Sequence, residues 1–190
     1  MTTVNGLPAH ILLVHAVVVL LPLAAFLLVL TTLWEPARRR LAAGNAILSI
    51  LVVIIVPVTT SAGEWLERRV PQSEVLHEHT ELGDTAIWYA IAIAILAVVV
   101  WWRQLEATTA TAPETEASGA GGRLATLTRQ RTYLAPRSAT VTRAIAVMSV
   151  VVALAGSYGT YRIGDSGSKA AWTRHFSSTP TDPGPDRRPR

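Results

Sequence analysis

The chain of 190 residues contains no cysteine. That excludes disulfides, thiolate metal sites, thiol redox chemistry and c-type haem attachment. Charge is sparse as well, with 13 Asp and Glu against 17 Lys and Arg. It is absent altogether from residues 42–58, 86–102 and 144–161, and residues 11–33 hold a single ionisable group, His15. No nucleophile–base motif, phosphate loop or dinucleotide fingerprint occurs, so an enzyme reading has no positive support.

What remains is apolar. Half of the residues are hydrophobic and the mean hydropathy is positive, which is high for a soluble domain and ordinary for a small polytopic membrane protein. The four uncharged blocks account for it. A helix needs roughly 17–25 apolar residues to cross a bilayer, and each block meets that length. Lipid offers the backbone no hydrogen-bond partner, so the blocks are expected to be helices. The alternating pattern of a membrane barrel is missing. No Lys or Arg precedes the first block, and its apolar core is longer than the roughly 7–15 residues of a signal peptide. It is read as a retained transmembrane helix.

The fold class that follows is all-α, a four-transmembrane-helix bundle with both termini outside. The expected membrane domain covers residues 1–172, with helices near 9–33, 42–61, 73–103 and 141–162. A cytoplasmic linker is expected over 104–140 and a disordered tail over 173–190. Arg38, Arg39 and Arg40 follow the first helix, and six arginines from Arg103 to Arg143 lie between the third and fourth. Six acids, from Glu64 to Asp84, lie between the second and third. The positive-inside rule therefore puts the two basic loops in the cytoplasm. Arg162, Lys169 and Arg174 near the end of the chain run against this, but the first helix usually dominates. The basic residues thus report topology, and no nucleic-acid partner is expected. The expected partners are the lipid bilayer and a second copy or another membrane protein. The six tryptophans fall near helix ends, in aromatic-belt positions.

"EATTATAPETEASGAGG" reads as a flexible linker, and "RLATLTRQRTYLAPR" beyond it as a solvated basic linker that sets topology, with a place on anionic lipid headgroups as the alternative. No sustained internal repeat is evident. In the fourth block, "ALAGSYGTY" places Gly156 and Gly159 among small residues, whose role is close helix packing in lipid. Gly164, Asp165 and Gly167 are expected to form an outer turn. The tetrapeptide "GDSG" occurs there, but without the strands and context of a serine protease.

The histidines are the ionisable groups that need a reason. Such groups in a membrane segment are costly and are functional candidates by default. His10 and His15 are five residues apart, about 140° around a helix, so they point in different directions. On a third helix starting near Ser73, His79 falls on the apolar stripe. His77 falls on the opposite, polar face with Asp84. On straight helices His79 lies about 10 Å outside the hydrocarbon and His15 about 6 Å inside it. His10 fits His79 better, with a gap nearer 8 Å. Three roles suit His10, His15 and His79, with His77, Glu78 and Asp84 as weaker candidates. They are an interhelical hydrogen-bond site, a divalent metal site with N and O ligands, and a haem b site with two axial histidines. Proton handling or transport is a further class, poorly served by the few polar residues on the inner halves of these helices.

Three stretches together resemble a bacterial membrane-protein family catalogued as domain of unknown function 2231. They are "GLPAHILLVHAVVVLLPL", "EHTELGD", and "YRIGDSG" with "AAW". The family pattern has proline after the first histidine and an aromatic residue after the second, where this chain has Ile11 and Ala16. The resemblance implies a four-helix domain of the bacterial inner membrane, with His10, His15 and His79 as the positions to watch. It implies no established activity.

Overall fold

The computed structural model describes residues 3–4, 6–109, 133–134 and 138–172. The expected linker over 110–132 and 135–137, and the tail from 173, lie outside the described residues. A short antiparallel pair, β1 (Thr3–Val4) and β2 (Leu7–Pro8), precedes the first helix. Gly6 lies between its strands at φ +81°, a left-handed conformation natural to glycine.

Four helical spans are long and apolar enough to cross a membrane. They are α1 (Ala9–Leu33), α2 (Glu35–Glu67), a unit formed by α3 (Glu74–Asp84) and α4 (Ala86–Thr109), and α5 (Ala139–Trp172). The architecture is a membrane helical bundle. Outward faces carry Val19, Phe26, Ile54 and Leu154, which lipid accepts and water would not.

Three boundaries differ from the sequence reading. First, α2 begins at Glu35 and not near residue 42, so Trp34 alone separates it from α1. Pro36 is tolerated in the first helical turn, where no intrahelical N–H partner is needed. Glu35 pairs with Arg39 one turn on and complements the helix N-terminus. Second, the third span is two helices, because Thr85 interrupts it. Its N–H and Oγ1 both donate to the Leu82 carbonyl, at 3.1 and 2.7 Å. Ser73 caps the start of α3 by accepting from the Leu76 N–H. Third, α5 continues to Trp172, so Gly164, Asp165 and Gly167 are helical and form no turn. Asp165 pairs with Lys169 at 2.7 Å, an i,i+4 contact that supports the helix.

The core is built from small and branched residues. Leu21, Ala25 and Leu28 of α1 meet Ile93 and Ala97 of α4, with Val52 and Val56 from α2 and Ala153 from α5. Gly156 and Gly159 let α5 approach closely within the bundle. A Cβ at Gly156 would stand 3.1 Å from Ile93 Cδ1, and one at Gly159 would overlap the Tyr89 ring. Asn45 and Ser49 are each 1% exposed, and among the described residues neither side chain has a hydrogen-bond partner.

The buried positions repeat, although the sequence shows no sustained repeat. Leu21, Ala24, Ala25, Leu28 and Thr31 of α1 correspond, at one constant spacing, to Ala90, Ile93, Ala94, Ala97 and Val100 of α4, and all ten are buried. The same spacing carries His10 to His79. Asn45, Ser49, Val52 and Val56 of α2 correspond in the same way to Ser149, Ala153, Gly156 and Thr160 of α5, again all buried. Helix contacts follow the same rule: α1 packs on α2 and α5, α4 packs on α5 and α2, and α1 also meets α4 across the centre. This is the arrangement that two copies of a helical hairpin, related by an approximate two-fold axis along the bundle, would make.

Candidate functional site

The repeat brings His10 and His79 together at one end of the bundle. Their ring centroids are 6.4 Å apart and their planes are inclined by 73°. His79 lies on α3, before the interruption at Thr85. α3 packs on α5, the helix that also flanks α1.

Each ring is held in a similar way. His10 Nδ1 lies 3.0 Å from the Thr59 carbonyl oxygen of α2. A carbonyl only accepts, so Nδ1 carries a proton, and in a neutral ring the lone pair is then on Nε2. His79 Nδ1 lies 3.0 Å from Ser166 Oγ of α5. The Ser166 hydroxyl donates to the Ile163 carbonyl at 3.0 Å, which leaves its oxygen to accept from His79. Ile163 is the residue that the α2-to-α5 spacing pairs with Thr59. The Nε2 atoms make no hydrogen bond among the described residues.

Glycine underlies both rings. A Cβ at Gly63 would stand 2.9 Å from His10 Cε1, and one at Gly167 would stand 2.9 Å from His79 Cε1. Gly63 and Gly167 are related by the same spacing as Thr59 and Ile163. Both rings are half-buried.

The other candidates are placed elsewhere. His15 is exposed, turned away from the bundle, and its Nδ1 lies 2.6 Å from the Ile11 carbonyl of its own helix. It joins neither His10 nor His79. His77 is exposed and contacts Glu81 at 3.3 Å. Glu78 is exposed and faces Arg162 at 3.8 Å, tying α3 loosely to α5. Asp84 is exposed. Among the described residues no three His, Cys, Asp or Glu side chains gather at one point. The site is a pair.

Sequence reasoning missed Thr59, Gly63 and Ser166. The available signal was that Gly63 and Gly167 each sit near the end of an apolar block that pairs with a histidine-bearing one. Comparison with protein-family models, with curated proteins and with solved structures finds no match.

Proposed function

We propose that this chain is a membrane haem protein in which His10 and His79 are the two axial ligands of a b-type haem. The observation that carries the reading is the ring separation of 6.4 Å. An imidazole–metal bond is about 2 Å long, so two imidazoles bound through Nε2 to opposite sides of one iron have centroids about 6 Å apart. The flanking chemistry agrees. A metal-binding histidine usually donates its other ring N–H to a carbonyl or similar acceptor, which fixes its tautomer and orientation. Thr59 and Ser166 supply such acceptors here.

Two imidazoles without a third protein ligand suit haem better than a bare divalent ion. Structural zinc takes four ligands and catalytic zinc three from protein, whereas a porphyrin brings four nitrogens of its own. A purely structural pair would explain the Nδ1 contacts. It would leave the two free Nε2 atoms and the paired glycines without a reason.

Haem bound between two histidines supplies one-electron chemistry. The described residues provide one imidazole pair, at one end of the bundle, so electrons would be exchanged with a partner at that membrane face. The acidic segment between α2 and α3 and the basic segments at the other end support placing this face outside, with both termini. We also retain membership of family 2231 and an inner-membrane location as proposals, on the residues quoted above.

Expression with added haem, followed by purification in detergent and visible spectroscopy, tests the reading. The expected product is a six-coordinate, low-spin haem protein whose Soret band shifts to the red on reduction. His10→Ala and His79→Ala lose that spectrum, whereas His15→Ala keeps it. Colourless wild-type protein, or a spectrum untouched by His79→Ala, overturns the proposal.

A further inference from the structure

α1 and α4 meet across the centre of the bundle, so their outer faces look in opposite directions. His15 on α1 and Asp84 at the end of α3 hold matched places on those two sides. Each stands five residues beyond its paired histidine, His10 or His79. Leu21 and Ala90, further in, keep the same spacing, so the match holds on both sides of His15 and Asp84. Both side chains are exposed. The outer stripes continue inward as Val19 and Phe26 on α1 and as Trp88 and Ile95 on α4, again at the one spacing and all exposed.

The apolar members of these stripes are at home in lipid. His15 and Asp84 are not, since ionisable groups beside hydrocarbon are costly without a partner. The Ile11 carbonyl holds His15 Nδ1 at 2.6 Å, and Nε2 makes no hydrogen bond among the described residues. Asp84 makes no hydrogen bond or ion pair among them. The other acids of α3 on this side are engaged, Glu81 by His77 and Glu78 by Arg162. An imidazole Nε2 and a carboxylate complement each other, because one proton is shared between them whichever group carries it. Within one chain the two lie on opposite sides of the bundle and do not meet.

We infer that copies of this chain associate side by side in the membrane, α1 of one along α3 and α4 of the next, with His15 bonded to the partner's Asp84. The matched depth of the two residues brings them together with neither copy raised or lowered in the bilayer. A two-fold contact would set like against like, histidine on histidine or carboxylate on carboxylate. The contact is therefore head-to-tail, and it closes into a ring or runs on as a row. It uses neither His10 nor His79 and none of the residues that hold them, so it stands or falls independently of the haem proposal.

Cross-linking in native membranes tests it, because the chain has no cysteine of its own. His15→Cys and Asp84→Cys chains with different tags are made in the same cells and treated with a short bis-maleimide. Linked dimers that join the two variants are expected, with little linking when either variant is made alone. The double variant His15→Cys/Asp84→Cys should give a ladder of linked multimers. Absence of the mixed dimer overturns the inference, and so does equal linking in either variant alone. Energy transfer between donor- and acceptor-labelled copies in dilute liposomes gives a second measurement without cysteines at the contact. His15→Asp and Asp84→His should each lower association about tenfold, and the two changes together should restore it. Wild-type transfer no greater than chance overturns the inference. So does association that survives both single changes, or that stays lost when the two are combined.

Discussion

Gly63 lies so close under His10 that a single added carbon would stand 2.9 Å from the imidazole Cε1. Gly167 has the same relation to His79. Neither glycine is needed for its backbone, which is helical at both positions. Each is needed for the ring above it. Gly63→Ala and Gly167→Ala should therefore displace an imidazole while leaving the bundle folded. On the haem proposal, haem affinity should fall about tenfold in each, equivalent to about 1.4 kcal/mol, as read by titration of haem into the detergent-solubilised protein. Unchanged affinity in both would show that ring placement does not depend on these glycines.

If the pair holds haem as proposed, acid should release it. Iron would take the Nε2 lone pair, so a proton on either ring would compete with the metal. Binding is therefore complete where both rings are neutral and is lost as pH falls through the range in which they charge. The Soret band, followed from pH 8 to pH 4, should decline and recover on return to neutrality. A band indifferent to pH over that range would argue against imidazole ligation.

Ser49 offers a test of the repeat in terms of stability. Its hydroxyl is buried and lacks a hydrogen-bond partner among the described residues, while the corresponding position in the second half is Ala153. An unsatisfied buried polar group costs about 1–3 kcal/mol. Ser49→Ala should raise stability by about 1 kcal/mol, measured by SDS titration in mixed micelles with helicity as the signal. A loss of stability would mean that the hydroxyl is used.

Topology is open to a reporter test. With four spans both ends of the chain lie on one side. GFP fused to the C-terminus should be dark and alkaline phosphatase fused there should be active. Bright GFP would invert the bundle and place the histidine pair in the cytoplasm.

How far the sequence disclosed this arrangement depends on the physical signal each part leaves. Helical spans are legible because a charge-free run of membrane length has few other structures open to it in lipid. The separation of His77 from His79 is legible because helical periodicity puts them on different faces. The fate of His15 was not, since an apolar stretch in a membrane has no polar side to show which face looks outward. The turn expected at Gly164 and Gly167 failed for a related reason. Glycine marks a turn in water, but in this bundle Gly167 makes room for a ring within a helix. The repeat is hidden in the sequence because the two halves share few residue identities. Leu21 answers to Ala90, Val52 to Gly156 and Thr59 to Ile163. What is kept is burial, which only the fold displays.

The paired spacing also says what the smallest working unit would be. α1 and α2 form a hairpin that already carries one histidine, the carbonyl that orients it and the glycine beneath it. A protein made of that hairpin alone would lack only a second copy of itself. Two identical hairpins meeting about the axis would set two copies of His10 where His10 and His79 now stand. The present chain holds that arrangement within a single polypeptide, whose halves can differ wherever symmetry is not required to hold the two rings in place.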